Sequence, residues 1–312
     1  MIAALFDVAM LAQTLRMAVP YACAGLGGVW SERSGVVNIA LEGILLVGGL
    51  AGVVAHVATG SAAAGMLAGA AAGATIGGLH ALVVVYGGVD AIVSGLALNL
   101  AAAGGTRFAL RALYASSSNS PSVPGFPGIV GGPSDAALLA RTLLDPSTLA
   151  AAALVAWTVW ALPHTRLGLR VRACGENPAA ATSAGIDVRR VRLAAVSLGA
   201  AIAGLGGVAL AYDEHGFQSG MSGGRGFIAL AAVILSGWRP GRAVAACVAF
   251  AALDAAQIVV QERTGSTASI APMLPYAATL LALWVVTRRP AAGGPRAGGG
   301  RPPAALGRQT ID

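Results

Sequence analysis

Lysine is absent from this chain. All 20 basic residues among the 312 are arginine, which excludes two chemistries. A P-loop needs the lysine of GxxxxGKS/T to reach the β and γ phosphates, and a retinal or pyridoxal Schiff base needs a lysine amine. Work driven by ATP would have to come from a partner chain. Charge of either sign is scarce: 11% of residues are charged and 56% are hydrophobic, whereas a soluble chain carries about 25% charged residues. So few charges cannot cover a water-facing surface, and the mean hydropathy of +0.74 points the same way, to an integral membrane protein. Cysteine is nearly missing. Cys23, Cys174 and Cys247 make neither CxxC nor metal-ligand spacing, and an odd count gives no disulfide framework; all three read as small apolar fillers. His56 and His80 stand alone, so no metal site is expected, and no Ser/His/Asp arrangement suggests a catalytic residue.

What is there is a series of apolar runs, at 8–29, 36–58, 62–86, 91–113, 147–163, 193–212, 242–261 and 272–287. They are continuous rather than alternating with period two, which disfavours a β-barrel. The expected fold is all-α, a polytopic helical membrane protein of about eight to ten transmembrane helices at about 20 apolar residues each. It forms one transmembrane domain over residues 1–287, with no room for a separate soluble domain. The start of the chain, with Asp7 before its apolar run and Arg16 inside it, matches a cleaved signal peptide poorly, and a retained first helix is expected. A further run, 226–237, reaches only about 18 Å as a helix and suits a half-helix buried among others. Gly65, Gly69, Gly73 and Gly77 put a small residue at every fourth position, a face on which helix backbones can approach closely, although an alanine-rich composition also produces such spacing by chance.

Eleven of the 20 arginines lie in two stretches, 164–192 and 288–312. The positive-inside rule places both on the cytoplasmic side, so the net charge of +7 reflects membrane topology and no nucleic-acid partner is expected. The Ser/Pro/Gly-rich loop 114–146 is then external. Four crossings fit between 193 and 287 only if 226–237 crosses fully. The tail, 288–312, is rich in Gly, Pro and Arg and is expected to be disordered, in contact with anionic lipid heads.

The polar residues inside this framework are the candidates for function. The loop 164–192 is longer than a turn requires. Asn177 is a plausible N-cap, Pro178 fits the first helical position and Gly185 ends the short helix, which could plug into a separate motor protein or lie passively on the lipid surface. In SERSGVVNIALEG (31–43), Glu32 and Arg33 could neutralise each other. Asn38 and Glu42 would share a helix face, and a carboxylate in an apolar segment marks either a pathway or an internal partner. Ser94, Asn99, His80, Asp254 with Gln257, and Arg225 complete the set; Arg225 could pair with a carboxylate.

Two of these stretches carry a resemblance. SERSGVVNIALEG resembles the SERxGVxNIGLEG element, and GLRVRACGENPAAATSAGI resembles the GLRxRAVGExPxAAxxAGI loop, of permease subunits of ABC importers in the nucleoside and simple-sugar group. IVSGLALNL (92–100), GRGFIALAAVILSGWRP (224–240) and PAALG (303–307) extend the match in the family's order. The length is most similar to the smaller permease of the nucleoside branch. The resemblance implies an inner-membrane, multi-pass permease with the ABC importer permease fold. Its implied partners are a second permease subunit, a cytoplasmic ATPase that holds the ATP and Mg, and an external substrate-binding protein; this chain itself would bind no cofactor. It implies that Arg172, Gly175, Glu176, Asn177, Pro178 and Gly185 lie in the loop that couples to the ATPase. Asn38, Glu42, Ser94 and Asn99 are the candidates for lining a nucleoside path. The chain departs from the family at Ala40, where Gly is usual, near Asp90 and Ala91, where Gln is usual, and at Leu235 and Ser236, where a Phe-Gly pair is usual. A simple sugar carried by the same machinery is the nearest alternative, and a proton-coupled carrier using Glu42 or Asp254 is the more distant one.

Overall fold

The structure is a computed structural model; it describes residues 7–127, 134–264, 277, 280, 281, 284 and 302–307. Eleven α-helices follow one another among these residues: α1 (Val8–Arg33), α2 (Leu41–Thr59), α3 (Ala62–Ala81), α4 (Ala91–Tyr114), α5 (Asp135–Leu144), α6 (Pro146–His164), α7 (Arg166–Glu176), α8 (Pro178–Ser183), α9 (Val188–Asp213), α10 (Arg225–Ser236) and α11 (Pro240–Thr264), with a π-helical turn over Leu82–Tyr86 closing α3. No strand is present among the described residues. Five helical stretches there are long and apolar enough to cross a membrane, namely α2, α3 with its π turn, α6, α9 and the Pro240–Ile258 part of α11. At 26 and 24 residues, α1 and α4 also exceed the length that a bilayer of about 30 Å requires at 1.5 Å per residue. The chain is an all-α, multi-pass membrane protein. Most of the expected span 272–287 lies outside the described residues.

Helix α9 is the centre, packed against α1, α2 and α3. Lipid offers no hydrophobic drive for helix association, so close backbone approach has to supply the contact, and glycine makes it possible. The expected face of α3 is buried at Gly65, Gly69, Gly73 and Gly77. A Cβ on Gly73 would meet Ala200 O and come within 3.0 Å of Gly204 Cα, and one on Gly48 of α2 would come within 2.6 Å of Gly204 Cα. Between α1 and α9 a Cβ on Gly27 would lie 2.5 Å from Gly199 O.

One expected boundary is corrected. The run 36–58 is not one helix, because the chain is non-helical from Ser34 to Ala40 and α2 begins only at Leu41. The run 226–237 is, as expected, a short helix, α10, of 12 residues, and the loop before it extends its reach along α1. Asp213, ending α9, pairs with Arg16 near the start of α1 at 3.5 Å, whereas Trp238, just past α10, accepts through its carbonyl from Arg33 Nε, at the other end of α1, at 3.0 Å. Residues 214–238 therefore run from one end of α1 to the other, irregular first and helical second. The loop 114–146 also carries a helix that its composition hides, α5, capped by Ser134 Oγ accepting from Ala137 N–H at 3.3 Å, and α5 packs on α1.

Candidate functional site: a broken helix joined to the Arg-rich loop

The loop 164–192 folds as a bracket of two short helices. Thr165 Oγ1 caps α7 by accepting from Gly168 N–H at 3.1 Å. Asn177 Oδ1 accepts from Ala180 N–H at 3.0 Å, Pro178 opens α8, and Gly185 leaves it with φ +77°, the left-handed turn that glycine takes without steric cost. The amphipathic α7 was not expected. Its Gly168, Val171, Cys174 and Gly175 are buried at the three- and four-residue spacing of one helix face. Arg172 Nη2 donates to Pro163 O at 3.3 Å, closing α7 onto α6. Burial pushes the Cys174 thiol above its ordinary pKa, so it stays neutral and packs as a small apolar group.

Above the bracket lies the break between α1 and α2. Glu32 and Arg33 do not neutralise each other. The buried Glu32 carboxylate accepts from Trp238 Nε1 and from the Asn38 backbone N–H, while Arg33 pairs across to Glu176 at 3.6 Å. Gly175 sits so close to Arg33 O that a Cβ there would collide with it. Arg192, at the end of the Arg-rich stretch 164–192, is buried at 3% exposure, and its Nε donates to Ser34 O at 3.0 Å. The candidates Asn38, Ser94 and Asn99 meet at this break. Asn99 Oδ1 accepts from Gly43 N–H at 2.8 Å and its Nδ2 donates to Ile39 O at 2.9 Å. His80 lies 2.9 Å from Ser94 Oγ through Nδ1 and 2.9 Å from Val37 O through Nε2. A carbonyl only accepts, so Nε2 carries a hydrogen, and Ser94 then donates to Nδ1 of the neutral ring. Asn38 Oδ1 accepts from Ala40 N–H at 3.2 Å, and its Nδ2 has no partner. His80, read from sequence as isolated, is thus a tie between α3, α4 and the break.

Glu42 has a different task. Its Oε1 accepts from Ser222 Oγ at 2.5 Å and Gly224 N–H at 2.8 Å, and its Oε2 from Gly226 N–H at 2.8 Å. The first N–H groups of any helix lack intrahelical partners, and a half-helix starting between other helices has no water to satisfy them. The carboxylate of α2 satisfies them and complements the positive end of the α10 dipole. Of the two readings open for Glu42, the geometry is that of an internal partner. Arg225 pairs with Asp254 at 3.2 Å, the carboxylate it was expected to find.

The tail needs a correction. Disorder was expected over 288–312, yet residues 302–307 are ordered: Ala305 is 3% exposed, and its N–H donates to Gly175 O at 2.9 Å. Small residues let the segment lie flat against backbone that still has hydrogen bonds to give. The remainder of the tail is outside the described residues.

Residues 10–283 match the family described as branched-chain amino acid transport system / permease component. The chain belongs to that family. Among its relatives, the guanosine ABC transporter permease protein NupQ of Bacillus subtilis is 35% identical over 288 residues, 88% of each chain. The nucleoside ABC transporter permease protein NupC of Lactococcus lactis is 33% identical over 294 residues, 88% of this chain and 90% of its own. A glucose ABC transporter permease protein of Haloferax volcanii is 30% identical over 241 residues, 72% of this chain and 63% of its own. As a permease the chain is a transport subunit, and among the described residues the broken helix with its attached bracket gathers buried polar groups such as Glu32, Ser34, Asn38 and Arg192.

Proposed function

We propose that this permease is the membrane-spanning subunit of an ATP-driven importer of nucleosides in the cytoplasmic membrane. A separate ATPase grips α7 and α8 from the cytoplasm, and a second permease chain and an external binding protein complete the assembly. The observation that carries this reading is the bracket itself. It is an exposed, capped two-helix projection fixed to a break in the membrane helices, in a chain without lysine and so without a P-loop of its own. Arg172, Gly175, Glu176, Asn177, Pro178 and Gly185 shape the bracket, and ATP with its Mg belongs to the partner. The Arg-rich bracket and the tail lie on the cytoplasmic side by the positive-inside rule.

The nucleoside assignment rests on the two relatives whose names carry guanosine and nucleoside; they are aligned over 88% of this chain, against 81% and 72% for the two relatives whose names carry glucose. A nucleoside needs hydrogen bonds without a fixed charge. At the break, Asn38 offers an uncommitted Nδ2 donor, while Ser94 and Asn99 offer groups that become available when the break rearranges. Glu42, with three donors on its carboxylate, supports the path by fixing α10. The same commitments weigh against a proton-coupled carrier: Glu42 already accepts from three donors and Asp254 is paired with Arg225.

Purification of the tagged chain in mild detergent, from its native locus, tests the assembly. The expected result is co-recovery of an ATPase and a second permease, lost when Glu176 and Asn177 are both replaced by alanine. Recovery of the chain alone across several detergents overturns the importer reading. Uptake of labelled guanosine, competed by unlabelled nucleosides and by glucose, tests the substrate; competition by glucose alone reassigns it.

A further inference from the structure

The short segment Pro302–Gly307 lies far along the chain from everything it touches. Ala305 N–H donates to Gly175 O at 2.9 Å, and Gly307 N–H donates to Gly35 O at 3.1 Å. Ala304 N–H reaches the Glu176 carboxylate at 3.4 Å, and Leu306 packs on the apolar cluster that contains Trp30 and Val171. Gly175 and Glu176 belong to the bracket, and Gly35 belongs to the break. The segment therefore joins the two by backbone hydrogen bonds, and Gly35, its acceptor in the break, has φ +99°, a conformation that glycine takes without steric cost. Two consecutive prolines, Pro302 and Pro303, fix φ at the start of the segment and lower the entropy lost on ordering it.

We infer that Pro302–Gly307 is a strap that clamps the α7–α8 bracket to the α1–α2 break, so that a displacement of the bracket by its partner is delivered to the break. The inference rests on the reading of the bracket as the ATPase-docking element. The bracket already bears on the end of α1 through Arg33–Glu176 and through Gly175 against Arg33 O. The strap extends that hold to Gly35, in the stretch that His80 and Asn99 tie to α3 and α4. The strap thus gives a movement at the bracket a contiguous physical route to α3 and α4.

The test uses the whole assembly with two variants of this chain, one ending at Arg301 and one carrying Ala305→Trp, which has no room at a position 3% exposed. Three quantities are read: recovery of the ATPase, hydrogen exchange of residues 166–185, and guanosine moved per ATP hydrolysed in proteoliposomes. In both variants the expected result is undiminished ATPase recovery, exchange over 166–185 faster by about tenfold or more, and transport per ATP lower by about fivefold or more. Unchanged exchange with unchanged transport per ATP overturns the strap and leaves the docking reading intact. Loss of the ATPase from both variants also overturns it, making the segment part of the docking face. If the unaltered chain recovers no ATPase while truncation still loosens 166–185, the clamp stands and the docking reading falls.

Discussion

The interface of α9 with α2 and α3 and the junction of the break with α10 solve one problem in opposite ways. At the first, glycines clear the space so that backbone meets backbone: Gly48, Gly73 and Gly204 are in contact with no side chain between them. At the second, the helices are irregular and side chains reach across to satisfy backbone groups that regular structure would have paired, as Asn99 and Glu42 do. The first interface is damaged by adding atoms and the second by removing them. The first holds helices at a fixed separation, whereas the second is a set of discrete bonds that can be exchanged for others, which a transporter changing conformation requires.

Substitutions sharpen this contrast, beginning with the largest expected effect. Gly73→Val puts a branched side chain against Ala200 O and Gly204, and overpacking of this kind costs about 3 kcal/mol or more. The expected outcome is little folded protein by size-exclusion chromatography in detergent. Glu42→Gln keeps the volume but turns an NH2 toward one of the two N–H groups at the start of α10; leaving such a donor unpaired costs about 2 kcal/mol, to be read as a lowered unfolding midpoint with folding retained. Asn99→Ala removes both of its bonds and costs about 1 kcal/mol in stability, while its effect on guanosine uptake measures whether the break also serves the path. Gly104→Ala is the control. Nothing lies within 4 Å of a Cβ there, so the change stabilises α4 by up to about 1 kcal/mol through helix propensity. If Gly73→Val were as harmless as Gly104→Ala, close backbone packing around α9 would lose its support.

Local signals were legible in the sequence and long-range ones were not. The start of α8 could be read because Asn177, Pro178 and Gly185 act within a few residues, and the glycine face of α3 because its spacing is periodic. The break could not be read from VVNIALEG. Those residues are as apolar as a helix, and the bonds to the non-helical stretch come from Asn99, 60 residues beyond Ile39, and from His80, 43 residues beyond Val37. Glu42 stood out as a costly charge, but its partners are about 180 residues away, so the sequence left open what it binds. Helix α7 did have a signal, an apolar face at 168, 171 and 175, obscured by its arginines. In the tail, composition described the whole stretch and hid the few small residues that dock.

The same carboxylate imposes an order on how the protein is made. Glu42 enters the bilayer with α2, and Ser222, its first donor, is added only 180 residues later. Through most of synthesis, therefore, a carboxyl group in α2 waits for partners in a segment not yet translated. The short α10, with exposed N–H groups at its start, arrives to find an acceptor already in place. A nascent chain halted at the end of α9 carries that carboxylate without any of its three donors.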